Sequence, residues 1–274
     1  MAKSYPYIHH PCWSEQRQDL WERIHLPVAK KCNVKCVFCD HSIGSSCHTS
    51  KPGFSSNIMN VDEAIERTLK EMSVKPNLRI VAISGPGEPL YNKETFETLS
   101  EINRRIPDMK FCLSTNGTLL SEHLDEVVSL GVSTITISIN AATPETASRI
   151  YEWARFDNHI SRNDTMAKMI LRRQLEGLSS AADAGIKLKI NTILIPKVNN
   201  HEISEIAETI SKAGAHIHNI VPLVPCGFLK DWRVPTEREL SEARKEALRY
   251  LPQFYHCKQC RSDVVGIPGC DTIL

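Results

Sequence analysis

Six short apolar runs, each followed by a stretch with helical periodicity, constrain this chain more than any other feature of its sequence. The runs are 25–30 (HLPVAK), 78–85 (LRIVAISG), 110–117 (KFCLSTNG), 133–140 (STITISIN), 187–195 (KLKINTILI) and 217–224 (IHNIVPLV). Segments 61–72, 92–106, 121–130, 164–185, 201–213 and 236–250 carry apolar residues at helical spacing. Apolar strands alternating with amphipathic helices require a parallel sheet covered by helices. Right-handed crossovers then curl that sheet. The expected fold is α/β, a single domain over 1–274: an extension (1–24), a partial six-unit β/α barrel (25–250) and a tail (251–274).

In such barrels chemistry sits at the C-terminal ends of the strands. The unusual residues of this chain fall there. Cys32, Cys36 and Cys39 follow the first run, GPGEP the second, Asn116 and Gly117 end the third, Asn140 the fourth, and Ile195 the fifth. One mouth would gather them. Ten cysteines, at 12, 32, 36, 39, 47, 112, 226, 257, 260 and 270, are many for a chain that starts without a secretory signal. In a reducing compartment they point to metal rather than to disulfides. A net charge of +1 and 6% aromatic residues argue against nucleic acid, and no apolar run reaches membrane-spanning length. The expected location is cytoplasmic.

The segment CNVKCVFC places three thiols on one compact loop. A four-iron cubane held by three thiolates keeps one iron open for a small molecule, by the logic of any open catalytic metal site. The competing reading is a structural zinc site built from Cys36-x2-Cys39 and Cys257-x2-Cys260. In SGPGEP, Gly85 and Gly87 permit close backbone approach and Glu88 can accept from an ammonium, although an isolated GPG is also an ordinary turn.

The C-x3-C-x2-C spacing, with Phe38 before the last cysteine, resembles the radical S-adenosylmethionine superfamily. The resemblance implies a partial barrel of that type, its mouth covered by the N- and C-terminal extensions. It also implies one [4Fe-4S] cluster on Cys32, Cys36 and Cys39, the catalytic centre, and S-adenosyl-L-methionine chelated to the open iron. Phe38, Gly85, Gly87, Glu88, Ser138, Asn140 and Ile195 would bind that cofactor: Phe38 and Ile195 near adenine, Glu88 at the methionine end, Ser138 and Asn140 at the ribose or carboxylate.

HPC (10–12), RIHLPVAKKC (23–32), SGPGEPL (84–90), STNGTLL (114–120), INAATPETASRIYEW (139–153), RRQLEGL (172–178), NTILIPKVNN (191–200) and HCKQCRSDVVG (256–266) together resemble the nitrogenase cofactor biosynthesis family within that superfamily. The likeness runs over nearly the whole chain and corresponds to the core enzyme without a C-terminal carrier-like domain. It implies two further [4Fe-4S] clusters as substrates, one on His25, Cys47 and Cys112, the other on Cys12, Cys257 and Cys260. The implied reaction, of lyase or transferase type and oxygen-sensitive, fuses these two. The product is the eight-iron core of the nitrogenase cofactor, with a carbide from S-adenosylmethionine and an added sulfur. Implied partners are an iron–sulfur cluster donor, an electron donor and downstream cofactor carrier or scaffold proteins, with no nucleic acid and no membrane. The expected state is a monomer. Residues 47–53 depart from the family pattern, which makes His48 a candidate replacement ligand, and Glu88 stands where aspartate is usual. Cys226 and Cys270 receive no role.

Two other functions fit parts of the pattern. One is a radical S-adenosylmethionine enzyme with a single accessory cluster and an organic substrate; the other is a zinc-stabilised, non-catalytic binding protein. For single residues the plain alternatives are a hydrogen-bonded core histidine at His25 and a core thiol at Cys112. His9, His10 and His256 are expected to be solvated, as are His41 and His48 unless they compete as ligands. Arg155, Arg172 and Arg173 are expected at the surface, one of them free to face an anionic cluster.

Overall fold

The computed structural model describes residues 7–40 and 53–274. Its main sheet has eight strands. Six are parallel: β1 (Glu22–His25), β3 (Leu78–Ile83), β4 (Lys110–Thr115), β5 (Val132–Ser138), β8 (Lys187–Leu194) and β9 (Ile217–Pro222). Each is followed by helix: α1 (Val61–Val74), α2 (Lys93–Arg105), α3 (Leu124–Ser129), α4 (Pro144–Ile150) with α5 (Asn163–Asp183), α6 (Ile203–Lys212) and α7 (Glu237–Ala247). The sheet is open, and with its helices it forms the expected partial barrel. Near-continuous apolar strands such as LRIVAI are buried on both faces, as a helix-covered parallel sheet demands.

Local signals set the helix ends. Asn60 and Glu63 form a reciprocal capping box at the start of α1, and Thr236 and Glu239 another at α7. Thr143 caps α4, with Pro144 in the first turn, where its missing N–H costs nothing.

Three features differ from the sequence expectation. The first strand is Glu22–His25, upstream of the apolar run 25–30, because Pro27 has no N–H for a ladder. Second, α4 and a small sheet occupy the stretch between the fourth run and the long helix. Here β2 (Val34–Cys36) pairs antiparallel with β6 (Tyr151–Phe156), and β6 with β7 (His159–Ser161). Third, the tail joins the main sheet. β10 (Val264–Gly266) runs antiparallel along the outer edge of β1, and β11 (Thr272–Ile273) pairs with β10. Among the described residues, no helix is long and apolar enough to cross a membrane.

Candidate functional site

The cysteine loop is held from two sides. Below it, Gly87 N–H donates to the Ala29 carbonyl at 2.7 Å and Glu88 N–H to the Lys31 carbonyl at 2.9 Å, so GPGEP runs alongside residues 29–31. A Cβ on Gly87 would lie 2.2 Å from the Lys31 oxygen, which leaves glycine as the only residue that fits. From the other side β6 grips the loop, with Val34 opposite Ala154 and Cys36 opposite Tyr151.

Glu88 is 2% exposed and already engaged. Its Oε1 accepts from the Thr115 hydroxyl at 2.5 Å and from Leu90 N–H at 3.1 Å; Oε2 accepts from Asn116 N–H at 2.6 Å. Burial pushes its carboxyl up to about 7 despite those bonds. Glu88 therefore ties the second βα loop to the third, and what it can offer a ligand is the remaining lone pair of Oε2. Asn116 donates to Asn33 Oδ1 at 2.9 Å and stands 4.0 Å from Cys32 Sγ. The turn STNG thus braces the cysteine loop, a role that the sequence pattern marked only by its place after a strand.

A cavity of about 360 Å³ opens at the C-terminal ends of the strands. Strand alternation lines it: Ala82 and Ser84, Cys112 and Ser114, Thr136 and Ser138, Lys189, Asn191 and Ile193. Cys32, Cys36, Cys39 and Phe38 form one part of the wall. Cys12, His25, Cys257 and Cys260 join it from β1, the N-terminal segment and the tail. Gly87, Glu88 and Asn140 also face it, whereas Gly85 sits behind it against Gly53 and Ser262. Cys47, with His41 and His48, lies outside the described residues.

Some expected residues stand elsewhere. Ile195 is fully buried beyond the end of β8; the residue in register with the cavity is Ile193, two positions earlier. Asn140 Oδ1 accepts from Ile193 N–H at 2.8 Å, so its side chain first of all locks β5 to β8. His10 is 1% exposed rather than solvated, its Nδ1 accepting from Cys12 N–H. None of the three flagged arginines reaches the cavity. Arg172 pairs with Glu176, Arg173 packs over Phe156, and Arg155 is exposed. Among the buried cations there are Lys189 in the wall and Arg23 behind Cys260, neither of which the pattern marked. Cys226 lines the wall and donates to Asp40 Oδ2 at 3.0 Å, and Cys270 is exposed.

The donor set suits a polynuclear cluster. Burial and neighbouring charge push the Cys32 thiol up to about 12 and raise Cys36 as well. Burial likewise pushes Cys112 up to about 11 and Cys260 up to about 12. Left alone these thiols stay protonated; a positively charged metal centre is what would make them thiolates. Among the described residues no three His, Cys, Asp or Glu side chains converge on a single ion. The motif loop, with Glu88 and Phe38 beside it, fits an iron–sulfur cluster and its S-adenosylmethionine.

The family model of the radical SAM superfamily matches residues 26–210. In fold the chain is similar to the radical S-adenosylmethionine methyltransferase TsrM from Kitasatospora setae, solved with cobalamin and a [4Fe-4S] cluster. The TM-score is 0.54 at 10% identity, over 77% of this chain and 38% of that one. The protein is thus a radical S-adenosylmethionine enzyme, and that membership implies a [4Fe-4S] cluster and S-adenosylmethionine. It is 41% identical over 261 residues to the FeMo cofactor biosynthesis protein NifB of Methanocaldococcus infernus, covering 94% of this chain and 85% of the relative. The corresponding protein of Methanocaldococcus jannaschii is 40% identical over 261 residues, covering 94% and 86%. The chain belongs to the NifB family of FeMo cofactor biosynthesis proteins.

Proposed function

We propose that this chain fuses two [4Fe-4S] clusters into the eight-iron core precursor of the nitrogenase cofactor, with a carbide drawn from S-adenosylmethionine and one added sulfur. One observation carries the reading: a single cavity collects soft donors from five separated stretches of chain, Cys12, His25, the 32–39 loop, Cys112 and the pair Cys257 and Cys260. An organic substrate would not require so many thiols in its binding wall.

In this reading Cys32, Cys36 and Cys39 hold the resident cluster. With S-adenosylmethionine bound, that cluster supplies reductive cleavage of the sulfonium to a 5′-deoxyadenosyl radical. Phe38 and Ile193 flank the adenine, Ser138 faces the ribose, and Glu88 Oε2 accepts from the methionine ammonium. Two substrate clusters occupy the rest of the cavity, one on Cys12, Cys257 and Cys260, the other on His25 and Cys112 with Cys47. Three-point attachment, with a histidine among the donors, suits cargo that must leave. The neutral imidazole is held ready for metal, because burial and Arg23 keep His25 well below the usual histidine range.

The test is direct. Anaerobically reconstituted chain, given S-adenosylmethionine and a strong reductant, should yield a product that restores activity to nitrogenase lacking its cofactor. Deoxyadenosine formation without such a product would reject the reading in favour of an organic substrate.

A further inference from the structure

Lys189 lies on the inner face of β8 in the cavity wall and is 4% exposed. Its ammonium donates to the Cys12 carbonyl at 2.8 Å and lies 5.5 Å from the ring centroid of Trp13 and 5.2 Å from that of Phe254. Among the described residues no carboxylate pairs with it. Main-chain oxygen and two aromatic faces do not neutralise a buried cation, and an unpaired buried charge is among the most destabilising features a fold can carry. Another buried cation, Arg23, is provided for. It donates to Asp271 Oδ2 at 2.6 Å, to the Gly266 carbonyl, and to Cys260 Sγ at 3.1 Å.

The surroundings of Lys189 identify the missing anion. Cys112 lines the same cavity wall, Cys12 supplies the carbonyl that accepts from the ammonium, and Phe254 belongs to the tail segment that bears Cys257 and Cys260. It thus shares the cavity wall with ligands of both proposed substrate sites. In the reduced state a four-iron cluster on three thiolates is an anion, and so is one on two thiolates and a neutral histidine; two such clusters brought together repel.

We propose that Lys189 is the counter-charge that lets two anionic clusters occupy neighbouring positions in one cavity. It is a positioning residue, because it ligates neither. The inference rests on the two-substrate reading above and adds the group that makes the pair electrostatically tolerable.

The experiment uses the full chain in a Cys32→Ala/Cys36→Ala/Cys39→Ala background, where only substrate clusters bind, with Lys189 kept or changed to Met or Arg. Iron and sulfide per chain and the midpoint potential of the bound clusters are measured after anaerobic reconstitution, and melting temperature is measured without metal. Lys189→Met should lose one of the two clusters, move the potential of the remaining one to more negative values, and raise the melting temperature of the metal-free chain by a few degrees. Lys189→Arg should keep both clusters. Unchanged iron and potential in Lys189→Met would overturn the proposal. So would a fall in metal-free melting temperature with full iron content, the signature of a merely structural lysine. If the background chain with Lys189 intact binds no iron, the two-substrate reading fails first and takes the proposal with it.

Discussion

Gly87 and His218 show how much can rest on one residue. The Lys31 carbonyl stands where a Gly87 side chain would begin, and both groups are main chain, so neither can swing away. Gly87→Ala should cost about 3 kcal/mol or more and reduce the iron bound by the cysteine loop, measured by urea denaturation and by iron analysis. His218 is fully buried, its Nε2 donating to Thr192 Oγ1 at 2.9 Å, and burial holds its imidazole down to about 3. Below the ordinary histidine value the unfolded chain takes up a proton that the folded chain refuses. Stability from this group is therefore present above about pH 6.5 and is lost as pH falls toward 3. Between pH 7.5 and 5 the loss should be about 2 kcal/mol. In His218→Gln, denaturation midpoints at the two pH values should differ less than in the parent.

At the scale of elements, five of the six parallel strands and, α4 apart, the helices after them were legible because burial on both faces writes itself as unbroken apolar runs. The first strand was misplaced, since ERIH gains its partners from β3 and from the distant tail rather than from its own composition. The sheet that grips the cysteine loop was invisible for a related reason: β2 and β7 are three residues each, too short for any alternation to register. The tail strands are no longer than these, and the joint they make depends on Arg23, a charged residue that no pattern would place at 1% exposure. Asp271→Asn removes its counter-charge. The substitution should cost about 1–3 kcal/mol and loosen the tail, read by urea denaturation and by faster proteolysis near Lys258. Neutralising Glu101, exposed beside Arg104 on α2, should leave the midpoint unchanged.

At the scale of the whole molecule, the site was legible as chemistry before it was legible as geometry. Thiol spacing pointed to the proposed radical loop, and the likeness to a family supplied the other proposed ligands. What the sequence could not convey was the environment of those ligands: which cations face them, that Glu88 is a brace between loops, and that Ile193 rather than Ile195 is in phase with the cavity. Strand phase decides the last point, and it depends on where β8 ends. A count of metal tests the site as a unit. With three four-iron clusters the reconstituted chain should carry about 12 irons, and Cys112→Ala about 8. Equal iron in the two would remove Cys112 from the ligand set.

The pairing of β10 with β1 joins positions more than two hundred residues apart in the chain. During synthesis on the ribosome, the first strand and the 32–39 thiols emerge early, whereas the tail thiols cannot take their place until some two hundred further residues have been made. Metal reaching a half-made polypeptide would meet the leading cysteines alone. In the reading proposed above, a cluster on Cys12, Cys257 and Cys260 would load only after the tail has emerged.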